Sequence, residues 1–202
     1  FQQKIDLTKW QQCADSIIML YAEYLWENQR YDELTFTFSS GFVCTWADFS
    51  SGKRFDYSTY AGWKDTLVEP STSYETFLEY LDLVYQFANT DSLQKNMSIS
   101  PAPQDIMPGD GFVVGVAELS AAAGVSVDYG HALIVVDVAV NDKGEKIFML
   151  AEGDTPATEV NIIENPDSSM GVWFKFNEEG KFLKSSETGV AWSSSWLNRF
   201  PG

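Results

Sequence analysis

The sequence predicts an α+β domain spanning residues 1–202, with two main helices packed on an antiparallel sheet of about five or six strands. Three observations carry this. Apolar residues recur at three- and four-residue steps in two separate stretches of the first half. The second half holds short β-branched and aromatic runs separated by turn residues. A chain of 202 residues, 45% hydrophobic and 21% charged, has the size and composition of an ordinary globular domain.

Thr8-Lys9-Trp10-Gln11 has the form of a capping box. Behind it Trp10, Cys13, Ala14, Ile17, Ile18, Tyr21 and Leu25 make one apolar stripe, predicting a helix to about Trp26. Leu34, Phe36 and Phe38 alternate with Thr35 and Thr37 as a half-buried strand does. Residues 39–70 are rich in Gly, Ser and aromatics, with short strands at most. Thr72-Ser73-Tyr74-Glu75 is a second capping box, opening a helix with Phe77, Leu78, Leu81, Val84, Tyr85 and Ala88 on its apolar face. This helical half spans about 7–90. Residues 89–108 read as a polar connector holding Pro101, Pro103 and Pro108.

The sheet half spans about 108–200. Phe112 to Val116 is a short strand, and Ala121 to Val127 a small-residue insertion without a clear period. The apolar run from His131 to Val140 suits a strand buried on both faces. Asn141-Asp142-Lys143-Gly144 turns the chain into a returning strand, Lys146 to Ala151. Val172 to Phe176 and Lys181 to Leu183 flank Asn177-Glu178-Glu179-Gly180 as a hairpin would.

Thirteen Lys and Arg against 29 Asp and Glu give a net charge of −16. That field repels nucleic acid and anionic lipid, so neither is expected as a partner. The longest apolar run, Ala132 to Val140, is too short to span a bilayer and is broken by Asp137. No cofactor is expected, because phosphate-binding, dinucleotide and EF-hand signatures are lacking. No metal is expected either, since Cys13, Cys44 and the single histidine, His131, are scattered along the chain. The chain starts at Phe1, as a processed or trimmed product would.

Cys13 and His131 are the candidate chemistry. A thiol attacks a carbonyl as thiolate, which a neighbouring imidazole or a helix N-terminus favours. With Thr8 as cap, however, Cys13 falls in the second helical turn and on the apolar stripe, where a cysteine also serves as a small hydrophobe. His131 opens a very apolar strand behind Gly130, either as a functional group or as a strand-end histidine bonded to a carbonyl. Arg30-Tyr31-Asp32 reads as a local Arg–Asp pair over Tyr31, or as a ligand-binding arginine. Trp46, Phe49, Tyr57, Tyr60 and Trp63 crowd a loop-rich stretch, either as a satellite core or as a face for sugars and peptides, with Trp46 and Trp63 the candidate binders. Cys44 reads as buried. Gly124 to Asp128 lacks the second glycine of a nucleophile elbow.

Gln11-Gln12-Cys13-Ala14-Asp15, Arg30-Tyr31-Asp32 and Gly130-His131-Ala132, in this order, resemble the bacterial domain-of-unknown-function family numbered 4846, over about Ile5 to Phe200. That family brings no established activity; the resemblance implies an exported protein, periplasmic or at the cell surface. Pro108-Gly109-Asp110 before one strand and Gly130-His131 at the next are similar to NlpC/P60 and papain-like cell-wall cysteine hydrolases. That resemblance implies a papain-like fold with Cys13 as nucleophile, His131 as base and Glu152 (or Asp154) as the group orienting the ring. The implied substrate is a cell-wall peptide; the alternative is a non-catalytic domain binding a peptide or glycan. The chain has Ala151-Glu152-Gly153-Asp154 where the 4846 family usually has Ala-Gln-Ser-Tyr. No oxyanion glutamine stands some residues ahead of the cysteine, although Gln11 and Gln12 adjoin it.

Overall fold

In the computed structural model, which describes residues 11–186 and 188–202, the first apolar stripe forms α1 (Cys13–Glu27). The expected Thr8 box falls largely outside the described residues. The helix begins at Cys13, with Gln12 in extended backbone as its N-cap. The Gln12 N–H donates to Asp15 Oδ2 at 2.9 Å, so an acid in the first turn satisfies a donor that the helix itself cannot. Ile17, Ile18, Ala22 and Leu25 lie buried along the helix.

β1 (Thr35–Thr37) and β2 (Val43–Thr45) pair as a separate antiparallel ribbon, and α2 (Trp46–Ser50) follows directly, capped by Thr45. α3 (Tyr74–Phe87) starts one residue later than the Thr72 box implies, capped by Ser73, whose Oγ accepts the Thr76 N–H. The buried Tyr80 hydroxyl of α3 lies 3.0 Å from the carbonyl oxygens of Leu34 and Cys44, fastening helix to ribbon. Two more helices occupy segments expected to be irregular. α4 (Thr90–Asn96) lies in the expected polar connector, held by a reciprocal box between Asn89 and Ser92. α5 (Val116–Ala123) begins at Val116, expected to end a strand, takes in only the first residues of the expected insertion at Ala121 to Val127, and ends on Gly124 at φ +69°, a left-handed cap. Short helices of polar or small residues are set by caps and packing, which leave little periodicity to read.

The main sheet is six-stranded and antiparallel. Its strands are β3 (Gly111–Val114), β4 (His131–Val140), β5 (Lys146–Glu152), β6 (Asn161–Ile162), β7 (Trp173–Phe174) and, near the end of the chain, a strand at Leu197–Asn198. Between the last two lies a separate ribbon of β8 (Lys181–Leu183) and β9 (Ala191–Ser193), so the Leu197–Asn198 strand is β10. The path runs β10-β3-β4-β5-β6, with β7 also on β5. The expected hairpin across Asn177–Gly180 is corrected. The turn forms, with the Asn177 N–H bonded to the Lys181 carbonyl, but β7 pairs with β5 and β8 with β9. Phe174 and Phe182 meet through their rings, 5.6 Å apart, rather than through a ladder.

Both faces of the sheet are covered. Val113, Ala132, Ile134 and Ala151 pack with α1 and α3. Phe112, Val114, Leu133, Val135, Phe148 and Leu150 pack with Phe174, Phe182, Trp192 and Trp196. Successive residues from Ala132 to Val135 therefore enter opposite cores and are apolar without alternation, whereas Val136 to Val140, expected to be buried too, are half-buried or exposed. Asp110, 1% exposed, accepts two bonds from Arg199 and ties the last strand to β3. Among the described residues no helix is long and apolar enough to cross a membrane.

Candidate active site

Cys13 occupies the first position of α1 rather than the expected second turn, because the helix starts at the Gln12 cap. This places the thiol in the turn where the helix dipole is concentrated. α1 packs along β4, which brings its N-terminus to the point where β4 begins and β5 ends.

Two glycines make that approach possible. A Cβ on Gly130 would lie 2.4 Å from both Thr90 Oγ1 and the Val114 carbonyl oxygen. A Cβ on Gly153 would lie 2.5 Å from Ser16 Oγ, in the first turns of α1. Both contacts are far inside ordinary van der Waals range, so the strand ends flanking His131 and Glu152 close against their neighbours only as glycine.

His131 is the first residue of β4 and Glu152 the last of β5. Glu152 Oε2 lies 2.5 Å from His131 Nε2, and the Cys13 side chain lies close enough to the ring to raise its pKa. With Nε2 turned to the carboxylate, Nδ1 is the nitrogen left for the thiol. Trp192 stands edge-on to the ring at 5.9 Å. Burial works to lower the imidazole pKa, but Cys13 and Glu152 outweigh it and hold His131 up at about 9. For Glu152, burial works upward, and the bonds from His131 and Lys184 bring the net shift below the ordinary carboxyl value. The arrangement is a thiol beside an imidazolium whose far side is fixed by a carboxylate.

Lys184, just past β8, was not visible as a site residue in the sequence. Its Nζ donates to Glu152 Oε2 at 2.5 Å and lies 3.2 Å from His131 Nε2. Only the tertiary pairing of β8 with β9 carries it there, so no local motif announces it.

Two small cavities open at this point. One, about 220 Å³, is lined by Cys13, Asp15, Thr90, Asp91, Asp128 and Gly130, among others. The other, about 330 Å³, lies against His131, Asp154, Thr155 and Lys184. Asp154 thus faces the second cavity, while Glu152 is the carboxylate on the ring. Thr155 Oγ1 donates to Gln12 Oε1 at 3.3 Å, joining the loop after β5 to the helix cap. Asp15 is a second residue the sequence did not flag. It is 4% exposed, and burial, opposed by the Gln12 N–H, pushes its carboxyl up to about 8. An acid inside an apolar stripe was the available signal, meaningful only once the cap is placed at Gln12.

The other candidates lie elsewhere. Arg30 pairs with Glu33, not with Asp32, and lines a separate cavity with Tyr24 and Phe200. It sits beyond the C-terminus of α1, so a 15-residue helix of roughly 22 Å separates it from Cys13. Asp32 is exposed in a short turn next to it. Trp46 is buried, 4% exposed, against Trp26, Phe77 and Tyr80, so it offers no face to a ligand. Trp63 is half-buried on Phe42 in a satellite of the helical core. Cys13 and Cys44 are both free, and burial pushes the Cys44 thiol well up, Asp48 adding to it. Among the described residues no group of His, Cys, Asp and Glu could hold a metal ion.

A family model described as "Domain of unknown function (4846)" matches residues 1–193. No curated protein and no solved structure matches the chain.

Proposed function

Since the chain belongs to the family of domains of unknown function numbered 4846, we propose from the site that it is a cysteine hydrolase cleaving amide bonds. The observation that carries this is the juxtaposition of Cys13, at the first position of α1, with a His131 ring held by Glu152. The order along the chain and the antiparallel strands that present His131 and Glu152 support a papain-like, NlpC/P60-like arrangement.

In the proposed reaction the Cys13 thiolate attacks the amide carbon. The oxyanion develops beside backbone N–H groups of the first turn, which have no acceptors within the helix. The C–N bond breaks as His131 gives its proton to the departing amine, leaving a thioester on Cys13. Water then attacks the thioester as neutral His131 takes its proton, releasing the acid and restoring the thiolate beside a protonated His131. Glu152 holds the ring throughout and stabilises its charged form.

The substrate proposed is a peptide of the bacterial cell envelope, met by an exported protein. The family resemblance supports that choice. The test is incubation with purified peptidoglycan stem peptides, read by mass spectrometry. Cleavage that disappears in Cys13→Ala and His131→Ala is expected. No cleavage, together with a Cys13 that reagents reach only after unfolding, would overturn the proposal. One observation favours a second reading, a peptide- or glycan-binding domain using the same cleft: Cys13 is only 5% exposed.

A further inference from the structure

Resting on Cys13 as the nucleophile, we infer that the cavity beside it is an acidic subsite that selects substrates carrying a protonated amine next to the reacting carbonyl. Three carboxyl groups line this cavity, Asp15 from α1, Asp91 from α4 and Asp128 from the segment before β4. No lysine or arginine is among its lining residues.

Asp15 supplies the independent observation. Its Oδ2 is used by the Gln12 N–H, but Oδ1 is buried with no hydrogen-bond partner among the described residues. A buried carboxyl oxygen left unpaired carries a desolvation penalty that a ligand donor removes. The residue is 96% covered and borders the same 220 Å³ cavity as Cys13, two residues away. An ammonium group has three donors and no acceptor, which matches an orphan acceptor flanked by two further carboxyls. Burial holds Asp15 largely as the acid near neutrality. An entering ammonium therefore takes the place of that proton.

The first turn of α1 opposes a cation, with roughly half a positive charge at the helix end. Asp91 and Asp128 oppose that charge, and the chain's net charge of −16 adds an attractive background. The neighbouring cavity shares Asp128 and adds Asp154, but it also holds Lys184, which the Cys13 cavity lacks.

Methanethiosulfonates test this without a known substrate. The 2-aminoethyl reagent carries a cation, the methyl reagent is neutral, and both place a disulfide on an accessible thiol. The modified cysteine is located by peptide mapping. The wild-type ratio of cationic to neutral rates at Cys13 is expected to be about ten or more. Asp15→Asn and Asp128→Asn should each cut that ratio severalfold. Glu145→Gln, in the turn between β4 and β5, removes one charge far from the cavity and should leave it within a factor of two. Asp128 is exposed, so its variant carries the test if Asp15→Asn does not fold. A ratio near one with a fast neutral reagent would overturn the subsite and leave the hydrolase proposal standing. A neutral reagent that reaches Cys13 only after denaturation would overturn the hydrolase proposal and the subsite with it. A ratio that falls equally in Glu145→Gln would mean the overall field alone, and would also overturn the subsite.

Discussion

His131 is held between two groups that want it charged and one that does not. Glu152 and Cys13 raise its pKa to about 9, while Lys184 pushes the other way. Because the chain has a single histidine, its ring protons give one unambiguous NMR titration. The midpoint is expected well above the ordinary value of 6.5, lower in Glu152→Gln and higher still in Lys184→Met. A midpoint at or below 6.5 in the wild type would contradict the geometry. The same shift appears in stability. A histidine raised on folding contributes fully below 6.5, and the contribution fades as pH climbs through about 9. The wild-type advantage over His131→Ala in urea unfolding should therefore shrink between pH 6 and 10, by on the order of 3 kcal/mol. Glu152 works at the other end: its lowered pKa stabilises above 4.5 and is lost as pH falls below it.

At the scale of elements, the site depends on how closely the start of β4 and the end of β5 approach the helices. Gly130→Ala would drive a methyl into the Val114 carbonyl, backbone that cannot turn aside. It should destabilise by roughly 1–3 kcal/mol and slow Cys13 modification at the same time. Gly153→Ala meets the Ser16 hydroxyl, a side chain that can rotate at the expense of its bond to the Gln12 carbonyl, and should cost less than a clash with backbone. Urea midpoints of the two variants check the order. What the sequence disclosed follows the same physics. α3 was legible to within one residue of its cap, Ser73 in place of the expected Thr72, because a capping sequence and a full apolar face agree; β4 was legible as a strand, but only Ala132 to Val135 are buried on both sides. α4 and α5 were not, since a seven-residue, mostly polar helix and an eight-residue helix of mostly small residues carry no strong period. The placement of α1 shows how one capping residue changes a functional expectation. Moving the cap from Thr8 to Gln12 shifts Cys13 from the second turn to the first.

Across the whole molecule, residues 13, 131, 152 and 184 meet because the sheet is gripped from both faces. Cys13, His131 and Glu152 were legible from residue type and chain order together with a family resemblance. Lys184 was not, because it arrives on a ribbon whose pairing skips the nearest turn. The aromatic loop also changed character: Trp46 is core because Trp26, Phe77 and Tyr80 surround it, which spacing alone does not reveal. The last strand is fastened by Arg199 on the buried Asp110, so Arg199→Ala strands a carboxylate and should destabilise the fold by about 3 kcal/mol, read by urea unfolding. The central claim, that the fold assembles an activated thiol from distant segments, is tested most directly by the pH profile of Cys13 alkylation with iodoacetamide. Cys44, buried and held protonated, serves as the silent internal control. Rapid labelling of Cys13 at pH 6–7, falling at least tenfold in His131→Ala, is the predicted result. Labelling that appears only in denaturant, or that ignores the loss of His131, would contradict it.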